Sequence, residues 1–311
     1  AIQAMPYIME YPHECSEQTF SRFYSNSIAS HIMNSNPKIK DIFDAWKSYS
    51  PEAFLSNLEK NQELKGVMLQ ETPWLLNAKD ESARKRRIGV LFDLNRMSNE
   101  LTRAIRKLKG NQKYNGGWPW FKNGPESYYI TKHIMCGFGH LDKLGVTSIK
   151  SDYDIKQMVK KGVSFIDGEF VKRYEWIKKH VADYETKQMI GYDEIHYLYT
   201  RSFFPDYPKS KKLKEAIDYF ERQSKHYWLN FNPYSQGMMA LALHRNGQED
   251  LAKDIMKSLK EKSILHDELG MYWKNKGRGY YWYQAPIESQ ALLIEAFYET
   301  TEDLASVDEM K

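Results

Sequence analysis

Apolar residues recur three and four positions apart along nearly the whole chain, and that period limits the fold more than any other feature. Phe20, Phe23, Tyr24, Ile28 and Ile32 fall on one helical face, as do Leu91, Leu94, Met97 and Leu101. Few stretches alternate apolar and polar residues as a half-buried strand would. Pro37, Pro51, Gly110, Gly116-Gly117, Gly145, Pro205, Pro208, Gly247 and the Gly277 to Gly279 stretch cut the pattern into helix-sized pieces. The breaks predict an all-α chain of about eleven helices. With 311 residues, it is long enough to bury a substantial core, as one large or two ordinary domains.

The helices divide into two kinds. Some begin with a polar or aromatic turn and become small or apolar further on: Tyr129-Ile130-Thr131 leading to Gly137-Phe138, Tyr192-Asp193-Glu194 to Ser202-Phe203-Phe204, Tyr234-Ser235-Gln236 to Leu241-Ala242-Leu243, and Ile287-Glu288-Ser289 to Ile294-Glu295-Ala296. Between them run charged, amphipathic stretches such as Lys156 to His180 and Lys211 to Lys225. An apolar helix suits an inner position and an amphipathic one an outer position. The alternation therefore predicts an α/α toroid of helical hairpins.

Composition excludes several classes of function. The net charge of +4 is small and both signs are scattered, which gives no electrostatic footprint for nucleic acid. The one basic run, Arg84 to Arg87, precedes an apolar-periodic stretch from Ile88 to Leu108 and reads as a solvated helix start. No apolar run reaches membrane-spanning length, and no signal peptide is visible. The nine histidines form no His-x-x-x-His pair and there is no Cys-x-x-Cys, so no metal is implied. Phosphate-binding loops and nucleophile elbows are absent too. Acidic pairs such as Asp193-Glu194 and Glu249-Asp250 read as solvated helix starts. Two cysteines, Cys15 and Cys136, allow at most one disulfide, and Cys136 sits in an apolar run that suits packing.

Cys15-Ser16-Glu17-Gln18 carries more specific chemistry. A thiolate can attack the side-chain carbonyl of a glutamine, expel ammonia and leave the two side chains joined as a thioester. Residues three apart on a helix are neighbours, and a helix N-terminus lowers a thiol pKa, so spacing and place both suit the reaction. Glu17 is expected to be a structural partner, with its carboxylate near the positive end of the helix. The plainer alternative is that Cys15 is a small buried hydrophobe in a helix cap, as most free cysteines are.

The run Tyr11-Pro12-His13-Glu14-Cys15-Ser16-Glu17-Gln18 resembles the Tyr-Pro-x-x-Cys-x-Glu-Gln signature of bacterial α-macroglobulins, relatives of the complement thioester proteins. A second landmark, Gln112-Lys113-Tyr114-Asn115-Gly116-Gly117-Trp118-Pro119-Trp120-Phe121, resembles the Gln-x-x-Asp-Gly-Gly-Trp turn of the α/α-toroid superfamily, which includes terpenoid cyclases. Here the glycines are expected to supply positive φ, and Trp118, Trp120 and Phe121 to plug the gap between hairpins.

The resemblance implies a single thioester-containing domain over residues 1–311, one part of a larger multidomain protein and an incomplete toroid at its C-terminal end. It implies Cys15 and Gln18 as the thioester pair, Glu17 as motif support, and Tyr11 as aromatic cover against water, to which Tyr7 or one of the many later tyrosines is expected to add. The function implied is single-use covalent capture of attacking proteases or other proteins through a lysine amine, with no enzyme turnover and no cofactor. The partners would be the target and the remaining domains, in the periplasm or at the cell envelope or its extracellular face. A steering histidine after a Gly-x-Phe pattern has no counterpart behind Gly168-Glu169-Phe170. His196 is the weak candidate, and a core role suits it better. The rival readings are a toroid enzyme, terpenoid cyclase or carbohydrate lyase, and a non-reactive binding module of the same fold. No Asp-x-Asp-Asp acid or aspartate-rich diphosphate site supports the enzyme.

Overall fold

A computed structural model describes residues 15–35, 94–147, 149–274 and 285–311. Among these residues the chain is all-α. They form ten α-helices and two short two-stranded hairpins. The helices are α1 (Ser16–Ser35), α2 (Leu94–Asn111), α3 (Tyr128–Lys143), α4 (Tyr153–His180), α5 (Tyr192–Ser202), α6 (Lys211–Tyr227), α7 (Pro233–Arg245), α8 (Glu249–Glu261), α9 (Pro286–Thr300) and α10 (Leu304–Glu309). Strands β1 (Trp118–Pro119) and β2 (Glu126–Ser127) pair antiparallel, as do β3 (Ile264–His266) and β4 (Gly270–Tyr272). The chain divides into two compact units, Ala1–Val159 and Lys160–Lys311.

In the first unit α1 packs against both α2 and α3. Phe20 and Phe23 on α1 are buried against Phe138 of α3, with ring centroids 5.1 and 5.8 Å apart. The close approach needs a glycine. A Cβ on Gly137 would lie 2.2 Å from Phe20 Cε1 and 2.5 Å from Cζ. Because the Phe20 ring is already boxed in by Phe23, Tyr24, His133 and Phe138, overpacking here should cost about 1–3 kcal/mol. Gly137→Ala is thus expected to lower the urea midpoint. Gly168→Ala on α4, where an added Cβ meets nothing within 4 Å, should instead raise stability by about 0.5–1 kcal/mol through helix propensity.

The glycine turn lies between α2 and α3. Gly116 takes φ +95°, whereas Gly117 stays at negative φ, so only one of the pair needs glycine's left-handed freedom. Gln112 closes the turn by donating to the Gly116 and Met158 carbonyls at 3.0 and 2.9 Å. Trp118 is fully buried, with its indole N–H on the Leu108 carbonyl at 2.8 Å. Trp120 and Phe121 depart from the plugging role expected from sequence: they are 44% and 68% exposed, and Trp120 stacks on Tyr129 with ring centroids 5.9 Å apart. Ser127, at the end of the hairpin, caps α3 by accepting from the Ile130 N–H.

In the second unit the two kinds of helix are visible as burial. Eight consecutive residues of α5, Glu194 to Arg201, and nine of α7, Ser235 to Leu243, are buried. Helix α7 packs against α5 and α9, and α8 lies against α7 and α9. A helix buried all round belongs between other elements. The amphipathic α6 and α8 bury single stripes instead: Leu213, Ala216, Ile217 and Phe220, and Ala252, Ile255, Met256 and Leu259. Helix α9, read from sequence as an inner helix, buries only one face among the described residues, through Leu292, Leu293, Ala296 and Phe297.

Glu194 departs from its expected solvated role. It is buried at the start of α5, where its carboxylate accepts from the Gly191 N–H at 2.9 Å and from Arg173 at 3.1 Å. An acidic pair in the first turn of a helix reads the same whether its carboxylates face water or cap the chain.

Candidate functional site

Cys15 is the N-cap residue of α1, and Gln18 is the third residue inside the helix. Their side chains and backbones are paired reciprocally. The Gln18 N–H donates to Cys15 Sγ at 3.4 Å, and the Cys15 N–H donates to Gln18 Oε1 at 3.4 Å. This is the geometry of a capping box, in which an N-cap serine or threonine and a glutamate or glutamine three residues on satisfy each other's backbone N–H. Here sulfur takes the place of the hydroxyl. The exchange draws the thiol and the carboxamide to the same end of the helix, with the carboxamide oxygen held by a main-chain donor.

Two further contacts fix the helix start. The Ser16 N–H donates to the Trp120 carbonyl at 2.8 Å, so the glycine turn takes up another of the N–H groups that a helix leaves without internal partners. Thr19 donates its hydroxyl to the Cys15 carbonyl at 2.9 Å. The tryptophan turn therefore positions the Cys15 motif directly. Sequence spacing could not reveal this, because the bond uses main-chain atoms about a hundred residues apart. The capping box itself was legible, had cysteine been read as a serine substitute.

Glu17 also touches the sulfur. The Cys15 thiol donates to Glu17 Oε2 at 3.7 Å, and the Ser21 hydroxyl donates to Glu17 Oε1 at 3.4 Å. Cys15 is 5% exposed. Burial pushes its thiol pKa up, and the Glu17 carboxylate adds to the rise, while the N–H groups of Gln18 and Glu17 pull against it. The sequence expectation of a thiol acidified by the helix N-terminus is thus reversed: desolvation outweighs the N–H groups. Cys15 and Cys136 form no disulfide with each other.

Tyr7 and Tyr11 lie outside the described residues, as does Arg84 to Arg87. His196 is buried on α5 in the second unit, its ring 5.7 Å from that of Tyr192. Phe170 of the Gly-x-Phe pattern is in the middle of α4, stacked on Tyr197 at 3.7 Å. Cys136 is buried on α3, 4.0 Å from His140 Nε2. Among the described residues no group of three or more His, Cys, Asp or Glu could hold a metal ion, and no helix is long and apolar enough to cross a membrane.

His133 packs edge-on against Phe20, five residues beyond Cys15, with centroids 6.2 Å apart. Burial, with His140 nearby, lowers its pKa from 6.5 to about 4. The folded imidazole therefore stays neutral where the unfolded chain takes up a proton. Its contribution to stability is complete above pH 6.5 and is lost as pH falls from 6.5 towards 4. A shift of this size corresponds to about 3 kcal/mol. Melting temperatures measured across that window should fall with pH, and His133→Gln should flatten the slope.

A scan against protein-family models and a search of curated proteins both find no match to this chain.

Proposed function

We propose that Cys15 and Gln18 close an internal thioester and that the chain captures attacking proteases or other proteins covalently, as part of an α-macroglobulin-type inhibitor. The observation that carries the reading is the reciprocal pairing of Cys15 and Gln18, which holds a nucleophile and its electrophile at one helix end before any bond forms. Such positioning replaces an improbable encounter with a near-unimolecular step. Closure releases ammonia. A lysine amine of the target then attacks the Gln18 carbonyl, forming an amide and freeing the Cys15 thiol, so each chain acts once.

A bond this reactive must be kept from water until it is needed. Burial of Cys15 supports that requirement, and Tyr11 and Tyr7 are the proposed aromatic cover. The α/α toroid is the proposed arrangement of the hairpins. The all-round burial of α5 and α7 beside the one-sided α6 and α8 supports it. Trigger and bait belong to other domains of the proposed parent, which would act in the periplasm or at the cell envelope or its extracellular face.

The test is amine reactivity. Freshly made protein treated with methylamine should gain the amine at Gln18 and release one thiol at Cys15, in equal amounts. A Cys15 thiol that titrates fully before any amine is added, with Gln18 unchanged, would leave a capping box alone and a binding module of the same fold.

A further inference from the structure

We propose that Glu17 is the proton carrier of the thioester reaction: it takes the proton from the Cys15 thiol as sulfur attacks and hands it to the departing nitrogen of Gln18. The inference rests on the reading of Cys15 and Gln18 as thioester partners. Its basis is a hydrogen-bond chain confined to the first turns of α1. The thiol donates to Glu17 Oε2 at 3.7 Å, a reach suited to sulfur, while the Ser21 hydroxyl holds the other carboxylate oxygen at 3.4 Å. One oxygen of the carboxylate is thereby anchored and the other is left to the thiol.

The electrophile is prepared by a different group. The Cys15 N–H already donates to Gln18 Oε1 at 3.4 Å. When the carbonyl carbon becomes tetrahedral, negative charge collects on that oxygen and the same donor stabilises it, as an oxyanion-hole N–H does. The nucleophile needs help because a thiol attacks poorly unless ionised, and burial keeps the Cys15 thiol protonated at neutral pH.

The step balances without oxidant or reductant. The S–H bond breaks and its proton goes to Glu17; the S–Cδ bond forms; the Cδ–N bond breaks; the nitrogen takes the proton from Glu17 and leaves as ammonia. Glu17 ends as the carboxylate it began as. In capture the route runs the other way, with a proton from the attacking amine passing through Glu17 to sulfur.

The experiment follows the loss of the Gln18 amide nitrogen. The 311-residue chain and its Glu17→Gln variant are synthesised in parallel at a series of pH values and quenched in acid at intervals. The peptide spanning residues 15–18 is then weighed, counting thioester and hydrolysed glutamate together. Near pH 7 the variant should be slower by roughly a hundredfold, a usual general-base contribution. As pH rises towards the thiol's own ionisation the gap should close, since hydroxide then removes the proton, and that recovery also certifies that the variant is folded. Equal rates at neutral pH would overturn the assignment. A variant slow at every pH would overturn it too, because Glu17 would then be serving the structure alone. If the wild-type chain itself keeps an intact Gln18 beside a free Cys15 thiol, the thioester reading fails and this inference falls with it.

Discussion

A Cys15→Ser chain is expected to keep its fold and to form no covalent adducts, whereas the wild-type chain is expected to form them through Gln18. The hydroxyl can take over the cap, accepting from the Gln18 N–H as sulfur does, because serine is the usual N-cap residue of this motif. Helix α1 should therefore lose little stability. Cys15→Ala removes the cap as well and should cost about 0.5–2 kcal/mol. Comparison of the two variants separates stability from chemistry. An unactivated carboxamide does not exchange with lysine amines at a useful rate, so the loss of adduct should be complete in both. Incubation with a protease of known mass, followed by denaturing electrophoresis, reads the result. A covalent adduct that survives in Cys15→Ser would show that sulfur is not the activating group.

Arg245→Met is expected to give the largest loss of stability, about 3–5 kcal/mol, as when one member of a buried ion pair is removed. Arg245 is the last residue of α7, and its guanidinium joins three helices. It donates to Glu295 at 2.6 Å and to Glu299 at 2.7 and 2.8 Å on α9, and to the Ser202 hydroxyl of α5 at 3.1 Å. Its face lies over the Phe203 ring, 4.1 Å from the centroid. Methionine keeps much of the volume and none of the donors, leaving two mostly buried carboxylates facing each other on one helix. The partial exposure of Glu295 and Glu299, 25% and 15%, places the cost at the lower end of the range. Adding Glu295→Gln and Glu299→Gln should restore part of the loss, since the penalty comes from stranded charge. Urea denaturation of the single and triple variants tests both statements.

How much of this could be read from sequence depended on whether a residue's role was local. The helical class followed from spacing alone, because a helix face is written three and four residues at a time. The caps of α6 and α7, Ser210 and Asn232 with Pro233 in the first turn, are equally local signals, though the sequence reading did not single them out. The pairing of Cys15 with Gln18 was legible for the same reason, since a capping box spans four residues. Roles set by distant partners were not. Nothing in the sequence around Gly137 announces the Phe20 ring that fills its missing side chain. The Trp120 carbonyl that ties down Ser16 uses an atom every residue has. The direction of the Cys15 pKa was misjudged because the helix N-terminus is visible in sequence and the burial opposing it is not.

Position 18 decides the central claim. In a chain that has formed the thioester, Gln18 is either linked to Cys15, making the protein lighter by one ammonia, or it has become a glutamate or an amide of the captured amine. In a chain that has never formed it, Gln18 is still glutamine. Tandem mass spectrometry of the peptide spanning Cys15 and Gln18, with Cys15→Ser as control, should find the linked or converted residue in the wild-type chain alone. Unmodified Gln18 in wild type and control alike, with a free Cys15 thiol in the wild type, would contradict the account.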